Sequence, residues 1–173
     1  MGSQGEASPS PLPLKLSAME TILPSQSTDS TPIPLSLIDH CLAYVVDTVY
    51  FYPNPTEACR HRQELVPKLR QALSEILVPY HFLAGRLAQN PSNGMLELDC
   101  GRQGAFFASA SCELAMADLG DVTFPNPAFR DLVLQPPLQN AAAAKMTDAP
   151  LLMMQVKKYI HIYADNGKQN LFC

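Results

Sequence analysis

Apolar residues recur at helical spacing between residues 65 and 80. The stripe consists of Leu65, Leu69, Leu73, Ile76, Leu77 and Tyr80. Polar residues fill the opposite side, a pattern typical of an amphipathic helix with one face against a core. Because proline fits the first turn of a helix better than its interior, the main helix is predicted to begin at Pro67. Thr56–Glu64 is predicted to form a separate helical turn.

Several segments carry the pattern of β-strands instead. "LKLSAMETIL" predicts a short strand, and Ala43–Tyr52 is dense in β-branched and aromatic residues. "GMLELDC" and "AFFASAS" are joined by "GRQG", whose two glycines predict a hairpin. Ala149–Val156 reads as a strand with an apolar run long enough to be buried on both faces.

Shorter helical signals lie between these strands. "PLSLID" predicts a helix or tight turn that Asp39 fixes, "CELAMADLG" a short helix closed by Gly120, and "FRDLVL" one further turn. Residues 1–13 are rich in proline and serine and are predicted to be disordered. The order of strand, helix, hairpin, irregular segment and strand predicts a mixed β-sheet with packed helices, which places the fold in the α/β class.

Composition narrows the function without naming a reaction. The chain has 173 residues and 47% apolar residues, enough for one domain with a core. A net charge of −4 argues against a nucleic-acid partner, since such proteins present a basic face. No apolar run approaches the ~20 residues of a membrane span, and no secretory signal opens the chain. The five cysteines include no Cys-x-x-Cys pair, which indicates free thiols in the cytoplasm and no metal site.

One candidate for catalysis stands near the end of the chain. "HIYAD" places His161 and Asp165 four positions apart. A histidine and an aspartate at this spacing can form a catalytic pair, or the spacing can be accidental. Whether this pair has that role depends on what the preceding residues are.

Four further segments, in order, resemble the N-terminal half of the plant acyl-CoA-dependent acyltransferases of the BAHD family. They are "LSLID", "LRQALSEILVPYHFLAGRL", "LELDCGRQGAFFASA" and "APLLMMQV". The stretch "LGDVTFPNPAFRDLVLQPP", which begins at Leu119, is similar to members that move hydroxycinnamoyl groups onto ω-hydroxy fatty acids or fatty alcohols. Phe82 stands where the family usually has proline, and His81 takes an aromatic position, but neither is a catalytic place.

The resemblance implies a fold and a reaction. It implies a domain like that of chloramphenicol acetyltransferase, one of two built on mixed sheets with a solvent tunnel between them. It also implies a His-x-x-x-Asp-Gly motif whose histidine removes the proton of a hydroxyl or amine acceptor, which then attacks the thioester of an acyl-CoA. The implied partners are therefore acyl-CoA, as co-substrate, and a small acceptor, with no bound cofactor, and members are usually monomeric.

The same resemblance argues against a catalytic role for "HIYAD". In the family, a Gly-rich corner and a second strand separate the Gln-Val strand from the histidine. Here only five residues lie between Gln155 and His161, and Asn166 replaces the glycine that should follow the aspartate. The chain also lacks tryptophan, and with it the Asp-Phe-Gly-Trp-Gly signature of the C-terminal half. Residues 14–156 are therefore predicted to form a partial acyltransferase domain, and residues 157–173 a non-family tail derived from intron read-through or an alternative exon end.

Other singled-out residues have structural interpretations. His40 and His61 are predicted at the surface or in turns, and His81 at the end of the main helix. Arg86 is predicted to make an ion pair or a helix cap. Met146, Met153 and Met154 are predicted to fill the core.

Two functions remain open from the sequence. The first is acyl transfer from an acyl-CoA, with a hydroxycinnamoyl donor favoured, by a protein of which this chain is an incomplete form. The second is a non-catalytic fragment or pseudogene product that acts, if at all, as a binding partner. The resemblance identifies neither the donor nor the acceptor, and it assigns no confident catalytic residue.

Overall fold

Two β-sheets and one long helix form the described part of the chain. The computed structural model describes residues 14–16, 19–41, 44–52, 62–112, 116–124, 126–134, 147, 149–160 and 171–172. Within these ranges the larger sheet is mixed and the smaller sheet is antiparallel. The helix covers one face of the larger sheet. The mixed α/β architecture that the sequence predicts is confirmed.

The larger sheet is built around β6, Ala105–Cys112. Its antiparallel neighbours on one side are β1 (Leu14–Leu16) and β2 (Glu20–Ile22). On its other side β7, Met153–Ile160, runs parallel to it along seven residue pairs, and β8 (Leu171–Phe172) pairs with the end of β7. The predicted strand at "LKLSAMETIL" is thus two short strands.

The smaller sheet is antiparallel and has the order β3-β5-β4. It comprises β3 (Ile33–Pro34), β4 (Arg86–Gln89) and β5 (Leu96–Asp99). The hairpin of this region joins β4 to β5. The predicted hairpin between "GMLELDC" and "AFFASAS" is wrong, since β5 and β6 belong to different sheets.

The crossing from β5 to β6 explains this difference. Gly104 adopts a φ of +87°, and its N–H donates to the Ala84 carbonyl at 2.8 Å. An added Cβ at Gly104 would press on the Thr21 methyl group, so this glycine lets the chain pass closely under β2 into the other sheet. The glycines of "GRQG" therefore serve a crossover instead of a tight turn.

The long helix α2 spans Arg62–Ile76. It begins five residues before Pro67, so the prediction that the helix starts at that proline is wrong. Pro67 removes the one hydrogen bond that its N–H would give to the Gln63 carbonyl, but it lies near the helix start, where few such bonds precede it. Packing of the following turns against the sheet holds the helix together.

Three leucines of the apolar stripe pack on the larger sheet, as predicted, whereas Ile76 and Tyr80 of the same stripe are 48% and 49% exposed. Leu73 and Leu77 are buried together with Phe107 of β6, and Met154 of β7 lies against the same cluster. The strand predicted at Ala149–Val156 begins at Met153 and continues to Ile160, and residues 151–156 are half-buried where full burial was predicted. Met146 lies outside the described residues.

The opposite face of the larger sheet carries a second apolar cluster. Side chains alternate along a strand, so Cys112 and Lys157 lie on the face away from α2. Cys112 is buried against Leu119 and Leu132. These two leucines come from the 3₁₀ helices Met116–Leu119 and Pro127–Leu132, which fulfil the helical signals before Gly120 and in "FRDLVL".

The segment predicted as a strand at Ala43–Tyr52 forms none in its described part, residues 44–52. Val49 and Phe51 pack against the second cluster, and the Phe51 ring lies 5.1 Å from that of Phe129. A strand requires a neighbour that supplies hydrogen bonds, and among the described residues none pairs with this segment. Residues 44–52 therefore have the composition of a strand but no strand partner among the described residues.

Candidate functional site

His161 and Asp165, the candidate catalytic pair, lie outside the described residues, as does His61. The structure does describe the strand that leads to this pair. β7 ends at Ile160, and Tyr159 pairs with Cys112 at the carboxyl end of β6. Ligands of open α/β sheets bind outside the carboxyl ends of parallel strands. The carboxyl end of the β6–β7 pair is therefore the candidate site.

A buried lysine lies just before this end. The Lys157 side chain is 9% exposed, and its ammonium donates to the Asp131 carbonyl oxygen at 3.3 Å. Asp131 belongs to the 3₁₀ helix Pro127–Leu132, which packs on the same sheet face. The ammonium group is thus turned into the protein and bound to its backbone, where it joins β7 to that helix.

Burial controls the charge of this lysine. Desolvation lowers the pKa of Lys157 from the ordinary 10.5 to about 8, although the neighbouring Cys112 and Asp131 act in the opposite direction. A lysine with such a pKa is neutral in an appreciable fraction of molecules near pH 8. Since the residue is buried and its ammonium is held by the Asp131 carbonyl oxygen, we assign Lys157 a structural role.

We expect stability to depend on pH through Lys157. Between its folded pKa of about 8 and the ordinary 10.5, the unfolded chain binds more protons than the folded one, so folding stability rises with pH across that window. The gain amounts to about 3 kcal/mol at most. Urea unfolding of the native chain and of Lys157→Met at stepped pH values measures it. The unfolding free energy of the native chain minus that of Lys157→Met should rise from pH 8 to pH 10.5, and a constant difference would contradict the assignment.

Arg86 is structural, but in a way that the sequence did not predict. Its Nη1 donates to the carbonyl oxygens of Gly85 at 2.7 Å and Gly104 at 2.8 Å, and its guanidinium lies 5.5 Å from the ring centre of Phe106. The expected ion pair or helix cap is replaced by a brace from β4 to the start of β6. Arg86 therefore ties the smaller sheet to the larger one.

Asp39 fixes the start of a helix, as predicted. Helix α1 spans Leu37–Cys41, and the Ser36 hydroxyl and N–H both donate to Asp39 Oδ2, at 2.7 and 3.0 Å. The Asp39 N–H donates back to Ser36 Oγ at 3.3 Å, which completes a reciprocal cap. These hydrogen bonds lower the pKa of Asp39. The Asp39 carboxylate is therefore occupied by hydrogen bonds from Ser36 at the start of α1.

The two described histidines, His40 and His81, lie in different elements. His40 lies in α1 and its Nε2 is buried without a hydrogen-bond partner among the described residues. His81 opens the 3₁₀ helix His81–Ala84 that follows α2, in agreement with the prediction for the helix end. No group of three or more His, Cys, Asp or Glu side chains in the described ranges could hold a metal ion. None of the described helices is long and apolar enough to cross a membrane.

Sequence reasoning missed Lys157, although a signal was present. Gln155 and Lys157 alternate with Met154 and Val156, and the latter two face α2. A lysine in phase with one face of a central strand must either reach solvent or find a buried partner. Only the position of the 3₁₀ helix Pro127–Leu132 decides that it is buried.

Comparison with known proteins shows similarity to transferases over most of the chain. The profile described as "Transferase family" matches residues 12–160, compared with the predicted domain of residues 14–156. Acyltransferase GLAUCE of Arabidopsis thaliana is 36% identical over 169 residues, which cover 92% of this chain and 35% of that protein. Omega-hydroxypalmitate O-feruloyl transferase of the same plant is 38% identical over 93 residues, covering 54% of this chain and 20% of that protein.

A further curated relative and one solved structure are also similar to this chain. Taxadien-5-alpha-ol O-acetyltransferase of Taxus chinensis is 33% identical over 142 residues, which cover 79% of this chain and 30% of that protein. The crystal structure of vinorine synthase aligns with 61% of this chain and 25% of its own, at 25% identity and a TM-score of 0.42. The chain spans about a third or less of the length of the curated relatives that it matches. With its profile match extending over residues 12–160, the chain belongs to the transferase family of the plant BAHD acyltransferases.

Proposed function

We propose that this chain is the N-terminal part of an enzyme that transfers an acyl group from acyl-CoA to a hydroxyl or amine. The family match over residues 12–160 is the observation that carries the proposal. A hydroxycinnamoyl donor and a long-chain ω-hydroxy acceptor are the substrates that we favour. That choice is supported by the 38% identity to a protein named omega-hydroxypalmitate O-feruloyl transferase.

In the proposed reaction a histidine takes the proton of the acceptor hydroxyl, and the oxygen attacks the thioester carbonyl. A tetrahedral oxyanion forms and collapses, which releases CoA as the thiol and leaves the acyl group on the acceptor. Both steps require a base within hydrogen-bond reach of the acceptor and donors aimed at the oxyanion. Among the described residues, Lys157 is buried and the Asp39 carboxylate accepts a hydrogen bond from Ser36, so we assign neither residue to these steps.

The second candidate is a non-catalytic fragment. It is favoured by the departure of "HIYAD" from the family's motif, in its distance from Gln155 and in Asn166 after the aspartate. We propose that His161 and Asp165 do not act as the family's catalytic pair in this chain, because their spacing from Gln155 leaves no room for a second strand.

We expect the purified 173-residue chain to release no CoA above background. The assay incubates it with feruloyl-CoA and a mixture of ω-hydroxy fatty acids, fatty alcohols and amines, and follows the free thiol. His161→Ala should behave as the unchanged chain does, with His40→Ala as a histidine control. Turnover that disappears in His161→Ala but persists in His40→Ala would show that "HIYAD" is a working site.

The origin of the tail is tested separately. We propose that residues 157–173 are a read-through or alternative end, with acyl transfer restored by the sequence that follows the Gln155 codon in the gene. Genomic sequence downstream of that codon should contain a frame with a Gly-rich corner, His-x-x-x-Asp-Gly and Asp-Phe-Gly-Trp-Gly. A downstream region without these motifs would favour the non-catalytic fragment.

A further inference from the structure

A cysteine and a lysine that the proposed reaction does not use are neighbours in the core. In the parallel pair of β6 and β7, Lys157 lies opposite Ala110, and Cys112 follows Ala110 by two residues on the same face of the sheet. Cys112 has 0% of its surface exposed, and Lys157 has 9%. A thiol and an amine are therefore enclosed together on adjacent strands.

The same short helix covers both groups. The 3₁₀ helix Pro127–Leu132 packs Leu132 against Cys112, and the carbonyl oxygen of the preceding residue, Asp131, accepts the hydrogen bond of the Lys157 ammonium at 3.3 Å. The lysine nitrogen and the cysteine sulfur thus lie under two consecutive residues. The hydrogen bond is longer than the usual range of about 2.7–3.2 Å, so it restrains the nitrogen only weakly. Cys112 also acts on the pKa of Lys157, in agreement with this closeness.

We propose that Cys112 and Lys157 form a redox-sensitive cross-link, a sulfenamide bond between Sγ and Nζ, when the chain meets hydrogen peroxide. The peroxide transfers one oxygen to the Cys112 thiol: an S–O bond forms, the O–O bond breaks, and water leaves. The Lys157 amine then attacks the sulfur of the sulfenic acid. An S–N bond forms, the S–O bond breaks, and a second water leaves with one hydrogen from the acid and one from the amine. The sulfur is oxidised by two electrons, and the peroxide is reduced to water.

Position favours the lysine amine over the other partners of a sulfenic acid, which are thiols and backbone nitrogens. Burial keeps thiols in solution away from Cys112, whereas Lys157 is already held beside it, which raises its effective concentration. Near pH 8 an appreciable fraction of Lys157 is the neutral amine that the attack requires. The cross-link would join β6 to β7 just before the carboxyl end at which the candidate site lies.

Cys100 supplies a matched control within the same chain. Like Cys112, it is a buried free thiol, with 1% of its surface exposed. Burial and the carboxylates of Asp99 and Asp29 raise the pKa of the Cys100 thiol. A raised pKa leaves less thiolate, which is the form that peroxide oxidises. We therefore expect Cys100 to stay reduced at peroxide doses at which Cys112 forms the link.

Mass spectrometry of the full 173-residue chain tests the proposal. The chain is treated with hydrogen peroxide at pH 8, its remaining thiols are alkylated, and the digest is searched for a peptide pair that joins Cys112 to Lys157. We expect this pair in the unchanged chain, lighter by two hydrogen atoms than its unlinked parts, and its loss after treatment with dithiothreitol.

Variants separate the cross-link from oxidation alone. Lys157→Met should form no link, while its Cys112 becomes a sulfenic acid that dimedone labels. Lys158→Met, one position further along β7, should form the link as the unchanged chain does. Circular dichroism at the assay temperature checks that both variants are folded, and the linked peptide of the unchanged chain is identified independently of either.

Each of three results in the unchanged chain would overturn the proposal. The first is a Cys112 that remains a free thiol under peroxide. The second is a Cys112 that is oxidised without a bond to Lys157. The third is a linked peptide in which Cys100 replaces Cys112, or Lys158 replaces Lys157, as often as the proposed pair occurs.

Discussion

Replacing Gly85 with alanine is expected to lower the free energy of unfolding by about 3 kcal/mol or more, because the added methyl group would meet fixed backbone atoms. Gly85 lies between the 3₁₀ helix His81–Ala84 and β4, and its N–H donates to the Phe82 carbonyl at 3.0 Å. A Cβ here would overlap the Asp99 carbonyl oxygen and lie 3.1 Å from both the Asp99 carbonyl carbon and the Phe82 oxygen. All three are backbone atoms, so no side-chain rotation relieves the overlap.

The cost follows from what would have to move. Asp99 pairs with Arg86 in the β4–β5 ladder, so relief requires that the smaller sheet separate from the helix before it. Overpacking costs typically 1–3 kcal/mol, and contact with fixed backbone places Gly85→Ala at about 3 kcal/mol or more. That is a large part of the 5–15 kcal/mol that holds a typical domain together.

Urea unfolding measures this prediction, with Gly101→Ala as the matched control. A Cβ at Gly101 meets Asp99 too, but at the end of its flexible side chain, 3.0 Å from Oδ1. We expect the control to lose about 0.5 kcal/mol or less, as exposed substitutions do. Equal losses in the two variants would show that the backbone approach at Gly85 is not tight.

Gly85 and Arg86 together give a physical meaning to the "LAGRL" segment through which the sequence resembles its family. Gly85 permits the close approach of β5, and Arg86 braces β4 against the Gly104 carbonyl. Arg86 thus joins the two sheets, and Gly85 lets the 3₁₀ helix His81–Ala84 and β4 lie close to β5. The "LAGRL" segment therefore indicates the fold of the chain and not its chemistry.

The helix was the most predictable element, because its signal is local. Leu69, Leu73 and Leu77 recur on one face, and that face is the one that packs against Phe107. The exact start was not predictable from Pro67, since the energy lost at one proline is outweighed by contacts that distant residues supply. Element type thus followed from periodicity, and the boundary depended on tertiary packing.

The sheets were less predictable, because pairing is a property of two segments. "GRQG" has the glycines of a hairpin, but Gly104 serves a crossover whose need arises from the position of β2. Residues 44–52 have the composition of a strand and lack a partner in the described structure. Lys157 could be placed on a strand face, but its burial depends on the distant Asp131 carbonyl. The candidate pair His161 and Asp165 stays a prediction, outside the described residues.

The second large effect concerns catalysis. We expect residues 1–156 of this chain to restore acyl transfer when they replace the corresponding N-terminal residues of the omega-hydroxypalmitate O-feruloyl transferase of Arabidopsis thaliana. The chosen junction is the end of the predicted domain, before the proposed tail of residues 157–173. If the domain is a competent half of the enzyme, the relative's remaining sequence supplies the base, the oxyanion donors and the second wall of the tunnel. The rate should then exceed that of the isolated chain by orders of magnitude, as enzymatic acceleration does.

Release of CoA from feruloyl-CoA in the presence of ω-hydroxypalmitate, measured on this chimera, tests the proposed function most directly. The account predicts turnover by the folded chimera, loss of that turnover when the histidine of the relative's His-x-x-x-Asp-Gly motif is replaced by alanine, and none with the 173-residue chain alone. A chimera that shows a cooperative melt and yet no turnover, beside an active unchanged relative, would contradict the account.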